Sequence, residues 1–296
     1  MRALLLTVFM PFAIWGQSFF TPSDTLSPKR TAWTSLSIGG VWTGSTTGLA
    51  SMWYSNSPQT KFHFFDDGKE WLQMDKAGHF YTANKISQLS YDLYKWSGWN
   101  NNSAAWMGFG IANGFQLTIE LLDGFSRDWG FSPWDIAANV GGSSLFLVQQ
   151  LTWKEQRIFT KFSYHPTQYA ALRPNVLGST GMERLLKDYN GQTYWLSINP
   201  STFGKNNPLP KWLCVSFGYS INGKLHGELD SYQPLGSAFT YQAEREFLLS
   251  LDVDFSRIKA KKPWLNAVLR QFNYIKIPFP ALRWKGDVFY GHWLYF

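Results

Sequence analysis

The sequence predicts an α+β protein: an N-terminal bundle of three to four helices, then an antiparallel amphipathic sheet or a small β-barrel of the outer-membrane type. Three observations predict it. Apolar residues recur near helical spacing within residues 34–158. Beyond residue 190 the apolar period drops to two. The two ends carry the marks of an exported chain whose closing strand faces lipid. These divide the chain into a signal peptide (1–16), a leader (17–33), a helical domain (34–158), a linker (159–191) and a strand region (192–296).

The N-terminal reading rests on Met1-Arg2, a short positive start. An apolar run from Ala3 to Ile14 follows, broken only by Thr7 and Pro11, with cleavage expected after Gly16. The run is too short to span a hydrocarbon core of about 30 Å. No cysteine follows it, so the expectation is an exported chain without a lipid anchor. The one cysteine, Cys214, cannot form an internal disulfide and reads as a small filler in a strand.

Composition narrows the class. Aromatic residues reach 18%, with 16 Trp, which fits interfacial belts. The formal charge of +7 falls by one when Arg2 leaves with the signal; that mild excess suits anionic lipid or polysaccharide. Outer-membrane lipid and other envelope proteins are therefore the expected partners. No Lys/Arg stripe with regular aromatic interleaving is present, which excludes nucleic acid.

Within the helical domain, Thr34 to Tyr54 is rich in Gly, Ser and Thr and reads as a close-packed helix in preference to two strands. Asp66-Asp67-Gly68-Lys69 reads as a turn. Glu70 to Trp96 reads as an amphipathic helix, with Phe80, Ala83, Ile86 and Leu89 near helical spacing. Ser103 to Leu122 is the next helix. Ser132-Pro133-Trp134-Asp135 opens another, running to about Glu155: Ser132 caps, Pro133 takes the first helical position and Asp135 closes a capping box.

In the strand region Leu213 to Ile221 and Phe247 to Phe255 alternate strictly, and each is near the length of a transmembrane β-strand. Tyr194 to Ile198 and Tyr274 to Ile277 are shorter candidates. Val288 to Phe296 is the closing strand; Val288, Tyr290, Leu294 and Phe296 share one face, with His292 as its odd member. Five strands do not close a barrel. Either Ile158 to Tyr164 and part of 33–44 add strands, or the sheet closes against the helices.

Three helices each present a polar pair at i, i+4: Asp75 and His79, Gln116 and Glu120, Asp135 and Asn139. Lys76 and Asp123 lie beside these faces. Convergence of these groups would give a hydrogen-bonded packing network, a divalent-cation site with His79, Glu120 and Asp123 as candidate ligands, or acid–base chemistry. No cofactor is named by the pattern. Catalytic signatures such as a Gly-x-Ser-x-Gly elbow, a Walker loop or a His-Glu-x-x-His zinc helix are missing from the sequence.

At these residues the chain resembles a known group. The segments are Asp75-Lys76-Ala77-Gly78-His79-Phe80, then Glu120-Leu121-Leu122-Asp123-Gly124-Phe125-Ser126, then Ser132-Pro133-Trp134-Asp135 on to Asn139-Val140-Gly141-Gly142. They resemble the YfiM-like envelope family and a diverged form of the VanZ-like pattern, over about residues 70 to 155. The resemblance implies an exported, envelope location and marks Asp75, Lys76, His79, Glu120, Asp123, Asp135 and Asn139 as the positions to carry over. It implies no reaction, because the family's biochemical activity is unknown. The functional expectation is a non-enzymatic outer-membrane or periplasmic protein, an accessory or structural part of an envelope complex. The alternative is a hydrolase-like envelope enzyme acting on lipid or glycan through His79, Glu120, Asp123 and Asp135.

Overall fold

A computed structural model describes residues 21–54, 57–204 and 207–296. The signal-peptide segment 1–16 and the first part of the leader lie outside the described residues. Helix α1, Pro28–Trp53, starts at Ser27, whose side chain accepts from the Arg30 amide, with Pro28 at the first position. The Gly- and Ser-rich stretch is thus helical, and 33–44 supplies no strand. Helices α2 (Met74–Trp96), α3 (Asn101–Gly124) and α4 (Pro133–Thr152) pack mutually. Asn100 caps α3 and Ser132 caps α4. Close approach is set by missing side chains: a Cβ at Gly142 would overlap the Phe80 carbonyl, and one at Gly108 the Ser87 carbonyl.

The sheet begins earlier than the period-two pattern indicates. Its first strand, β1 (Ile158–Tyr164), overlaps the stretch read as a linker. Three short helices follow: α5 (Tyr169–Leu172), α6 (Pro174–Leu177) and α7 (Gly181–Lys187). Then come β2 (Gln192–Ile198), β3 (Leu213–Asn222), a small ribbon of β4 (Ser231–Tyr232) and β5 (Tyr241–Gln242), and β6 (Glu244–Val253). Helix α8 (Pro263–Gln271) precedes β7 (Phe279–Lys285) and β8 (Val288–Tyr295). The main sheet is antiparallel in the order β1-β2-β3-β6-β7-β8. It is open, so the barrel alternative is not realised.

Two strand readings need correction. Tyr274 to Ile277 is not a strand; a 3₁₀ turn ends at Tyr274, and Ile275 makes a single bridge to Phe162. The strand is β7, whose alternation is masked by Pro278 and Pro280. In β8 the expected face does not run through. Val288, Tyr290 and His292 pair with Lys285, Arg283 and Ala281, but a bulge at Phe279/Ala281 shifts the register and sends Tyr295 inward. The strongly exposed aromatics of β8 are Phe289 (73%) and Trp293 (91%).

The sheet is inverted relative to a soluble one. Thr193, Ser197, Ser216, Ser220, Glu246, Ser250 and Asp252 are buried on one face. Phe217 (52% exposed), Phe247, Leu249, Leu251, Leu282 and Trp284 project from the other. The buried face is stitched by polar contacts. Lys161 and Asp252, both withdrawn from water, meet at 2.8 Å. Ser197 donates to Asp252 at 2.8 Å. A smaller apolar group of Trp195, Leu248, Ala281 and Tyr295 fills the rest of that face.

The helices meet the other face at one corner. Tyr81 of α2 lies against Phe162 and Tyr194. Thr160 donates to Asn84, which donates to the Gly142 carbonyl, tying β1 to α2 and α4. Gln149 of α4 accepts from the Arg157 and Ile158 amides and so sets the start of β1.

Asp252→Ala is expected to lower unfolding stability by about 3–5 kcal/mol, because it strands a buried ammonium. The Lys161→Met, Asp252→Leu pair should lose much less. Denaturant unfolding of the two variants checks this, and equal losses would contradict it.

Candidate functional site

Three helix faces meet where α2 begins. Asp75, Lys76 and His79 lie on the first turns of α2, Gln116 and Glu120 on the last turns of α3, and Asp135 and Asn139 on the first turns of α4. Gln116, Glu120, Asp135 and Asn139 are buried, the last at 1% exposure. His79 Nδ1 lies 3.2 Å from Asn139 Oδ1, which also accepts from Gln116 Nε2 at 2.7 Å. Gln116 Nε2 also lies 3.4 Å from His79 Nδ1. His79 Nδ1 is 3.6 Å from Glu120 Oε1, and its Nε2 is 3.8 Å from both Asp75 Oδ1 and Asp135 Oδ1.

Lys76 is the hub of a second set. Its ammonium reaches Asp67 at 2.5 Å, Asp135 at 2.7 Å and Asp75 at 3.0 Å. Asp123 does not join the group: its carboxylate accepts from Tyr54 at 2.6 Å, and no ion pair to His79 or Lys76 is present among the described residues. The group able to share one cation is instead Asp75, His79 and Asp135, one donor atom from each lying within 4.8 Å of the others.

Several members carry no motif in the sequence. Asp67 sits in a segment readable only as a turn, yet it pairs with Lys76 and accepts from Ser132 Oγ at 2.5 Å. Ser132 caps α4 and its amide also donates to Glu120 at 3.3 Å. Tyr189, from the stretch between α7 and β2, donates to Asp75 Oδ1 at 2.8 Å. No periodicity could signal a contact across 114 residues.

Burial and mutual repulsion set the charges. Burial pushes the Glu120 carboxyl up to about 8 and that of Asp123 up to about 6. Asp135 is also pushed up, by burial and then by Asp75. Asp75 goes the other way: burial opposes its charge, but His79 and Lys76 hold it well below the usual range. His79 is raised because Asp75, Asp135 and Glu120 outweigh its burial.

A cavity of about 530 Å³ lies beside the cluster, between α2, α4 and the sheet. Phe80, Tyr81, Tyr194 and Phe217 help line it, and Lys76 is the cluster member that reaches it.

Residues 63–150 match the family model of a predicted periplasmic lipoprotein (DUF2279). The match covers under a third of the chain and takes in every cluster residue except Tyr54 and Tyr189. It supports an uncharacterised bacterial envelope family and an exported location. Within the description of this envelope family, the lipoprotein element has no counterpart in Cys214, which is buried in β3. No curated protein and no solved structure matches the chain.

The raised carboxyls fix a pH response. The native chain keeps protons on Glu120 and Asp123 that an unfolded chain releases above its ordinary values of 4.5 and 3.8. That stabilisation is complete below about pH 4 and fades as pH rises through about 6 to 8. Asp75 adds the opposite limb, losing its contribution below about pH 4. In chelator-containing buffer, stability should therefore fall between about pH 5 and 8.5. Glu120→Gln should flatten the decline and gain stability at the alkaline end. Identical profiles for variant and wild type would contradict this.

Proposed function

We propose that the chain is a non-enzymatic outer-membrane protein, a structural or accessory component of an envelope complex, with the exposed face of its sheet against lipid. The observation that carries this is the inverted sheet. A water-facing strand buries its apolar side; here Phe217, Phe247, Leu249, Leu251, Leu282 and Trp284 face outward while serines and charges are enclosed. Strands β3 and β6 are ten residues long, within the length of about 9–11 residues that crosses a hydrocarbon layer. Among the described residues no helix is long and apolar enough to cross a membrane.

An envelope hydrolase is the second reading, favoured by Glu120 beside His79 and by the cavity that Lys76 enters. The 1% exposure of Glu120 weighs against it, because that carboxylate would have to meet a substrate.

The expected outcome of fractionation is recovery with the outer membrane and retention there through carbonate washing. Recovery in the soluble periplasmic fraction would end the proposal. Phe217→Lys should cost about 2–4 kcal/mol in lipid if the residue lies near mid-depth, read from folding titrations into bilayers. A neutral result would remove Phe217 from the lipid face.

A further inference from the structure

Four acidic side chains, Asp67, Asp75, Glu120 and Asp135, stand within 3.8 Å of the two basic side chains of the cluster, so acids outnumber bases. Glu120 Oε1 is buried and has no hydrogen-bond partner, although it is aimed at the His79 ring. Asn139 Nδ2 is likewise buried without one. Buried polar atoms are as a rule satisfied, so each of these two calls for a physical explanation. The two ring nitrogens of His79 face different groups: Asn139 Oδ1, Gln116 Nε2 and Glu120 Oε1 lie 3.2, 3.4 and 3.6 Å from Nδ1, and Nε2 points between Asp75 Oδ1 and Asp135 Oδ1.

We propose that Asp75 Oδ1, His79 Nε2 and Asp135 Oδ1 bind one first-row transition-metal dication of the Zn2+ type, with Glu120 positioning the imidazole through Nδ1. The observed 3.8 Å separations exceed the spacing of about 3.3–3.6 Å for ligands in tetrahedral array at bonds of about 2.0–2.2 Å. The two His79 separations need contract by only a few tenths of an ångström, and the two carboxylates, which with His79 lie within 4.8 Å of one another, close on the same cation to complete three sites and leave the fourth open to water. One imidazole with two carboxylates suits zinc, cobalt or manganese and disfavours the all-oxygen preferences of calcium and magnesium. Lys76 does not bar the site. It meets Asp75 through Oδ2, the oxygen His79 does not face, and it keeps Asp67 as partner when the cation takes Asp135 Oδ1. The outer contacts are those of a supported metal site: Tyr189 donates to Asp75, and Glu120 and Asn139 hold the distal edge of the ring.

The test is Co2+ titration of the purified, metal-stripped full chain. One equivalent should produce visible d–d absorption that Zn2+ displaces and Mg2+ and Ca2+ do not. His79→Gln and Asp135→Asn should abolish the band. Glu120→Gln should retain it with binding weakened about 10–100-fold, and Asp123→Asn should leave both unchanged. X-ray absorption on the wild-type cobalt form should report one imidazole nitrogen among oxygen ligands, which decides the matter even where a variant does not fold. Folded wild type without stoichiometric binding, a metal shell lacking imidazole, or a band that survives in folded Asp135→Asn would overturn the proposal. None of these outcomes depends on whether the sheet meets lipid.

Discussion

Lys161 and Asp252 belong to β1 and β6, with β2 and β3 lying between them in the sheet. Their 2.8 Å contact is therefore a chord across the buried face, and it can form only if the sheet curls. Once both charges are withdrawn from water, every neighbouring polar group must be satisfied inside as well. Ser197 donates to Asp252 and the Lys161 ammonium also donates to the Val253 carbonyl. Asn199 and Asn273 close on Asp254 in the same way. The curl carries Tyr295 of β8 over Trp195 of β2 without pairing β8 to β1, so the structure approaches a barrel but stops short of one.

The helical layer obeys the same constraint from the other side. Asn84, Gln116, Glu120, Asp135, Asn139, Ser143 and Gln149 are buried, while Leu36, Trp106, Leu117 and Val148 are exposed. Packing between α2, α3 and α4 therefore depends on amide and carboxylate contacts and on glycines that admit a neighbouring carbonyl, more than on an apolar stripe. Trp71, Leu72 and Gln73 adopt positive φ in succession just before α2. The strain of that conformation is held by β3 and the loop that follows it: Tyr219 donates to the Leu72 carbonyl, and the Trp71 amide donates to the Gly227 carbonyl. The chain thereby enters α2 with Asp75 and Lys76 already aimed at α4.

Much of this was legible in the sequence because it is periodic. The i, i+4 pairs on α2, α3 and α4 follow from helix geometry alone, and the period-two runs at β3 and β6 show which side chains share a face. What the sequence could not show is which face is enclosed. Alternation of Ser216 and Phe217 is the same whether serine or phenylalanine faces water; only the Lys161–Asp252 chord decides it. β7 escaped because two prolines interrupt its pattern, whereas β1 is among the strand alternatives at Ile158 to Tyr164 although Thr160, Lys161 and Ser163 give it the look of a polar linker. The cluster was foreseeable in its helical members only. Asp67 and Tyr189 reach it through chain reversals that leave no spacing to read, and Asp123 shares the helical face pattern but is taken by Tyr54.

The two polar interiors differ in a way that bears on their roles. In the sheet, Lys161 and Asp252 are matched one to one, with the Ser197 and Ser216 hydroxyls also on Asp252 Oδ2, while Asp252 Oδ1 has no hydrogen-bond partner. In the helical cluster the acids outnumber the bases, and Glu120 is raised toward neutrality by burial with one oxygen unpartnered. Packing alone gives no reason to enclose that many carboxylates, since amides of the same shape would satisfy the helices without mutual repulsion. Retaining acids there is intelligible if their charge is used by something positive that comes and goes. The sheet thus pairs one acid with one base, whereas in the cluster four acids share Lys76 and His79.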